Sequence, residues 1–217
     1  HGSPTAVMQY EGATGWIIGE PNDGLRAMFT MMNNARLGVG GQGIGVAEAA
    51  FQHATEYALN RKQGKSTIQN KHGTIIDHAD VRRMLISMRA DIFASRSIEL
   101  ENAKAIDMAN ATGEPEWINK AAFLTPITKV FGTEIGINIS NLGVQIHGGM
   151  GFIEETGAAQ FSRDVRVTAI YEGTNGIQAM DLVGRKMMDN GETAYAIINQ
   201  IKEYIDNLSG VKKDLSG

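Results

Sequence analysis

The sequence predicts an all-α protein, an up-and-down four-helix bundle with a short N-terminal β segment and an extra C-terminal helix. Apolar residues recur at three- and four-residue spacing over long runs, which is the signature of helices with one buried face. Only 4 prolines interrupt 217 residues of which 42% are hydrophobic, so long helices are neither broken nor short of core. The connections between the runs are short and marked by Gly, Asn, Asp or Pro, as antiparallel neighbours in a bundle require.

At the N-terminus, residues 5–10 and 16–18 flank a turn at 11–13 and read as two short strands or a hairpin. A loop at 19–24 leads into a first helix ending near residue 60, with Leu25, Met28, Phe29, Met32, Val39, Ala47, Ala50, Ala54 and Ala58 at helical spacing. Its middle holds Gly38, Gly40, Gly41, Gly43 and Gly45, each costing about 1 kcal/mol relative to Ala, so close approach of a helix or ligand must compensate. A basic end, Arg61-Lys62, suits the helix dipole and is followed by a polar loop over 63–74. A second helix spans about 78–108 and stops at the Ala111-Thr112-Gly113-Glu114-Pro115 break. A third covers about 117–146, where Pro126 marks a kink or a late start.

Glycines at 148, 149 and 151 end this third helix. They suit a plain C-cap, and they also let backbone N–H groups approach a ligand closely. Asn175, with Gln178 three residues on, reads as the N-cap of a fourth helix over 176–188 and places Glu172 in the loop ahead of it. Glu172 there either complements the helix dipole or acts as a base, since Ile170, Tyr171 and Gly173 surround it and an apolar setting favours a carboxylate that takes up protons. Residues 189–191 break the chain, and a fifth helix over 193–208 carries Ile197, Ile198, Ile201, Ile205 and Leu208 before Gly210 stops it.

Composition excludes several classes of function. A formal charge of -4 gives no basic surface for nucleic acid. No run approaches the roughly 18 apolar residues of a membrane span. There is no cysteine, and histidines 1, 53, 72, 78 and 147 lack ligand spacing, so no metal is expected. The chain opens on His1 rather than Met, without a signal-like segment, and reads as a fragment whose targeting information lies outside it; a cytoplasmic protein is expected.

The string IYEGTNGIQ, the QIHGGMGF segment ahead of it and the Arg163-Asp164 pair between them closely resemble the acyl-CoA dehydrogenases. The resemblance runs from about Trp16 to about Met188 and is nearest to the longer bacterial branch that includes the methylmercaptopropionyl-CoA dehydrogenases, as HGSPT, MMNNARLGVG and HADVRRML suggest. It implies three parts: 1–22 as the remnant of a β-domain, 23–190 as the C-terminal helical bundle, and 191–217 as an additional helix, which is either a plain packing helix or the start of a further helical domain.

The same resemblance implies an FAD enzyme that converts an acyl-CoA to a trans-2-enoyl-CoA, with Glu172 removing the α-proton and the β-hydrogen leaving as hydride to flavin N5. Asn33, Arg36 and Gly173 would meet the acyl-CoA. Gln145, Ile146, His147, Gly148, Gly149, Thr174 and Asn175 would cradle flavin, although Gly176 stands where many relatives have Gln. Arg61 would reach the flavin pyrophosphate of a neighbouring subunit in a homo-oligomer, although the Phe usual before the following Gly is missing. An electron-transfer flavoprotein is the implied acceptor. A non-catalytic helical assembly module and an oxidase on the same fold are the alternatives, and the fragment itself is expected to be inactive.

Overall fold

The computed structural model describes residues 6–66, 68 and 73–214, with side chains to residue 208. Thr5 of the expected first strand, His1 and His72, and part of the 63–74 loop lie outside the described residues. Seven α-helices are present among them: α1 (Gly24–Asn60), α2 (Ala79–Thr112), α3 (Pro115–His147), α4 (Gly149–Phe152), α5 (Ala158–Val165), α6 (Asn175–Asp181) and α7 (Glu192–Asp214). The all-α expectation holds.

The first three helices form the frame. At 37, 34 and 33 residues they run the length of the domain, and α1 packs most extensively on α3. Gly113, in the left-handed region at φ 69°, ends α2 by donating its N–H to the Ala109 carbonyl. Pro115 opens α3, where a missing N–H costs nothing. The core between the three helices is built from Ala47, Ala50, Ala54 and Ala58 of α1, Met88 and Ile92 of α2, and Ile135, Ile139 and Ile146 of α3.

Alanine and glycine on α1 make that core thin. A Cβ on Gly40 would lie 2.9 Å from the Thr128 carbonyl oxygen, and one on Gly132 would lie 2.6 Å from the Gly40 carbonyl oxygen. A Cβ on Gly136 would similarly meet the Gly43 carbonyl at 2.8 Å. Two α1 glycines therefore interdigitate with two on α3, and the backbones touch. The expected compensation for lost helix propensity is real at Gly40 and Gly43, whereas Gly38 and Gly45 face open space.

Several expectations are corrected. No strand forms in residues 6–22, where Val7, Trp16 and Ile18 are exposed; two short strands have no sheet to pair with. Pro126 neither delays nor ends α3, which runs from Pro115 through it to His147. The fourth long helix does not exist: α6 ends at Asp181 and gives way to a π-helical turn over Leu182–Lys186. The bundle thus has three long helices, flanked by the short α4, α5 and α6 and by the 23-residue α7. The α6 N-cap is Thr174, whose hydroxyl accepts from the Ile177 N–H at 3.3 Å, and Asn175 is the first helical residue. Gly210 does not stop α7, which continues to Asp214.

The break at 189–191 is present, with Asn190 and Gly191 both at positive φ. Asp189 accepts hydrogen bonds from the N–H groups of Gly191 and Thr193, which start α7. Among the described residues, no helix is long and apolar enough to cross a membrane.

The glycine contact makes opposite predictions for two Gly→Ala changes on one helix. Gly43→Ala drives a methyl into the α3 backbone and should lower the unfolding free energy by about 1–3 kcal/mol. Gly38→Ala meets nothing and should raise it by about 0.5–1 kcal/mol. Urea titration of the two variants beside the parent protein checks both signs.

Candidate functional site

The predicted site residues fall into two groups, one midway along the frame and one at its end. One gathers where α6 begins, against the middle of α3 and the first half of α1. Glu172 stands there in the left-handed backbone region at φ 55°, followed by Gly173 at φ 86°. A non-glycine residue in this conformation costs on the order of 1–3 kcal/mol and persists only where its surroundings impose it. Upstream, the Tyr171 hydroxyl donates to Gln42 Oε1 on α1. Downstream, Thr174 caps α6, and Asn175 is held by its side chain.

Gly173 has no side chain for a steric reason: a Cβ there would lie 2.6 Å from the Gln178 amide nitrogen and 3.6 Å from the Arg36 guanidinium. Arg36 is 4% exposed. Its Nη1 donates to Asn33 Oδ1 at 3.3 Å and lies 3.5 Å from Asp181 Oδ2, so the two predicted acyl-CoA residues engage each other and α6. Arg36 Nε and Gln178 Oε1 are buried without a hydrogen-bond partner. Asn33, Arg36 and Asp181 open onto a cavity of about 660 Å³ whose apolar wall includes Ile106, Ile118 and Ala121.

Behind this loop lies Lys129 of α3, a lysine with 0% exposure. Its Nζ donates to Asn175 Oδ1 at 2.8 Å. Burial pushes its pKa down to about 8, with the nearby Arg36 charge acting in the same direction and the Glu134 and Glu172 carboxylates opposing. Asn175 in turn donates to Glu134 Oε1 at 2.7 Å and Thr133 Oγ1 at 3.1 Å. Its side-chain amide is therefore committed to α3.

The second group lies at the end of the frame, where α1 finishes and α3 stops. A cavity of about 380 Å³ is lined by Arg61, Tyr57, His78, Ile146, His147 and Gly148. Gly148 ends α3 at φ 60°, and neither it nor Gly149 has an atom within 4 Å of where a Cβ would stand. Gln145, one turn back, is exposed. His147 is 3% exposed and stacks on Tyr57 at 4.3 Å. Its Nδ1 lies 2.7 Å from the Gly143 carbonyl and must donate there, which leaves Nε2 as a buried acceptor without a partner. Burial holds its pKa below the usual imidazole value.

These groups cannot form one pocket. Arg36 and Arg61 are separated by about 37 Å along the α1 axis, and Thr133 and His147 by about 21 Å along α3. Thr174 and Asn175 belong with Glu172, while residues 145–149 belong with Arg61. Lys129 and Asp181 were not singled out from sequence, and Gln178 was read only as the capping partner of Asn175. Their one signal was the small-residue face Thr125, Thr128, Gly132, Thr133 and Gly136 of α3, which marks a close helix contact on the side where Lys129 lies.

The profile of the family described as "Acyl-CoA dehydrogenase, C-terminal domain" matches residues 22–188. Over 198 residues the chain is 50% identical to 3-methylmercaptopropionyl-CoA dehydrogenase of Ruegeria pomeroyi, covering 88% of this chain and 34% of that protein. Butyryl-CoA dehydrogenase of Megasphaera elsdenii superposes with a TM-score of 0.64 at 30% identity, over 76% of this chain and 39% of that one. A chain in the structure of the electron transferring flavoprotein of Acidaminococcus fermentans gives a TM-score of 0.66 at 25% identity, over 78% and 40%. The chain belongs to the acyl-CoA dehydrogenase family, whose members are FAD-dependent enzymes, and it holds their C-terminal helical domain. It spans about a third of the length of the curated relatives it matches.

If a flavin dinucleotide were held at this end, the Arg61 guanidinium would meet phosphate and the open turn at Gly148 and Gly149 would allow close backbone approach.

Lys129 sets a testable pH dependence. It holds its proton less tightly when folded, at about 8, than in the unfolded chain, at about 10.4, so between these values the unfolded state binds the extra proton. The contribution of Lys129 to stability therefore rises with pH from about 8 toward about 10.4 and is flat below about 7. Urea unfolding from about pH 7 to about pH 10 should show this rise in the parent protein and lose it in Lys129→Met.

Proposed function

We propose that the intact protein carrying this chain is a flavin-dependent acyl-CoA dehydrogenase in which Glu172 removes the α-proton of the thioester. The observation that carries the reading is the placement of Glu172: a carboxylate on left-handed backbone between tethered Tyr171 and the start of α6, with Lys129 and Arg36 behind it. An α-proton of a thioester is weakly acidic, so the base must be fixed as well as present. Here the C–H bond breaks, the proton passes to a Glu172 carboxylate oxygen, and the product is a trans-2-enoyl-CoA. FAD, when bound, supplies the acceptor for the β-hydrogen as hydride. Arg36 and Asn33, at the mouth of the larger cavity, orient the CoA portion, and Gly173 keeps the loop low enough for the thioester to approach.

The separation of the two groups supports a homo-oligomer. Arg61 and residues 145–149 lie too far from Glu172 to hold the flavin that works beside it, so they serve a flavin whose catalytic carboxylate belongs to another copy. Thr174 and Asn175 present the α6 N-terminus on the Glu172 side. The acceptor of electrons from the reduced enzyme is an electron-transfer flavoprotein, consistent with the resemblance to the Acidaminococcus fermentans chain. The acyl group is set by walls that this domain does not contain.

Glu172→Gln in the intact protein should keep its flavin and lose turnover by several orders of magnitude. Flavin absorbance together with acyl-CoA-dependent reduction of a dye reads both, and near-normal turnover would sink the assignment. The 217-residue chain alone should bind FAD weakly and turn over no acyl-CoA, because its helices supply only some of the walls a flavin and an acyl chain need. Stoichiometric tight FAD with turnover, seen by titration of the purified chain, would contradict this.

A further inference from the structure

We infer that Lys129 is the positioning residue of the Glu172 loop: through Asn175 it pins the start of α6 to α3 and so imposes the backbone on which the Glu172 carboxylate stands. The inference rests on the reading of Glu172 as the base.

An ammonium with 0% exposure needs a reason to be buried, because desolvating a charge is costly unless partners replace the lost water. Lys129 Nζ donates to Asn175 Oδ1 at 2.8 Å. The other end of the same amide donates to Glu134 Oε1 at 2.7 Å and to Thr133 Oγ1 at 3.1 Å. Residues 129, 133 and 134 lie within about one and a half turns of α3, so a single patch of that helix grips both ends of one side chain. The gripped residue is three positions after Glu172. The residue before Glu172 is tied to α1 through Gln42.

Between these two anchors Glu172 stands at φ 55°, a backbone that a non-glycine residue would not choose locally, and Gly173 follows at φ 86°. Releasing the downstream anchor frees the loop to relax and turn the carboxylate away. The charged groups around Lys129 are Arg36 from α1, Glu134 from its own helix and Glu172 from the loop. Asp181 of α6 stands against Arg36 rather than against the lysine. Lys129 thus acts through Asn175 and not as a direct partner of substrate.

The test is a double-mutant cycle in the intact enzyme with Lys129→Met, Asn175→Ala and both together, turnover being expressed per bound flavin. Each single change should lower kcat about 10- to 100-fold, the loss expected for a misplaced group, with KM changed less than about threefold. The double variant should lose no more than the worse single. Hydrogen exchange of 172–177 should quicken in all three while the α1 to α3 core stays protected. Multiplicative losses, kcat within about twofold of the parent, or unchanged exchange at 172–177 would each overturn the inference. If Lys129→Met does not fold, Asn175→Ala decides by the same criteria. Glu172→Gln in the same assays separates the two ideas. Retained turnover there would remove the base assignment, and the exchange data would still judge the pin.

Discussion

The contact of backbone on backbone between α1 and α3 is the constraint on which the rest of this domain depends. Gly40 and Gly43 meet Gly132 and Gly136 with no room for a methyl, so the two longest mutual faces lie closer than side chains would allow. Close approach brings Arg36 of α1 and Lys129 of α3 within each other's field, and it does so in the interior where neither charge is screened by water. Two like charges held together demand carboxylates and amides around them. The short helix α6 supplies these through Asp181 and Asn175, and the loop that must be drawn in to deliver α6 carries Glu172.

The site is thus less a cleft lined by reactive groups than a consequence of buried charge seeking partners. Gly173 illustrates this. Its missing side chain makes room for the Gln178 amide and the Arg36 guanidinium. At the end of the frame the logic is different: Arg61, Gly148 and Gly149 are exposed, and only His147 is drawn into the interior, by its hydrogen bond to Gly143 and its stack on Tyr57.

How much of this was legible follows from the range of each interaction. The extents of α1, α2 and α3 could be read because an apolar period and a glycine stop are local, and Gly113 and Gly148 stop helices as read. The strands at the N-terminus were misread because a pairing partner is never written in the strand itself. The fourth helix was drawn too long because residues 182–186 keep a helical spacing of apolar residues while the backbone widens to a π turn. Thr174 and Asn175 are both good caps, and the choice fell to Thr174 because Lys129 and Glu134, over 40 residues earlier, claim the Asn175 amide. Glu172, Arg36, Arg61 and residues 145–149 were singled out through the family resemblance; the burial of Lys129, Gln178 and Asp181 around Arg36 and Asn175 becomes visible only when the helices are docked. That the predicted flavin residues divide between two places required the length of α1 to be known as one unbroken helix.

That unbroken length also acts as a gauge. Arg36 rides on this rigid rod and Arg61 caps its end, so the spacing between them is set by the count of residues in the helix. One residue inserted between them would advance Arg61 by about 1.5 Å and swing it through about 100°, carrying it off the rim it shares with Gly148. Drift in the length of this segment is therefore closed to the chain, whatever substitutions its exposed positions accept.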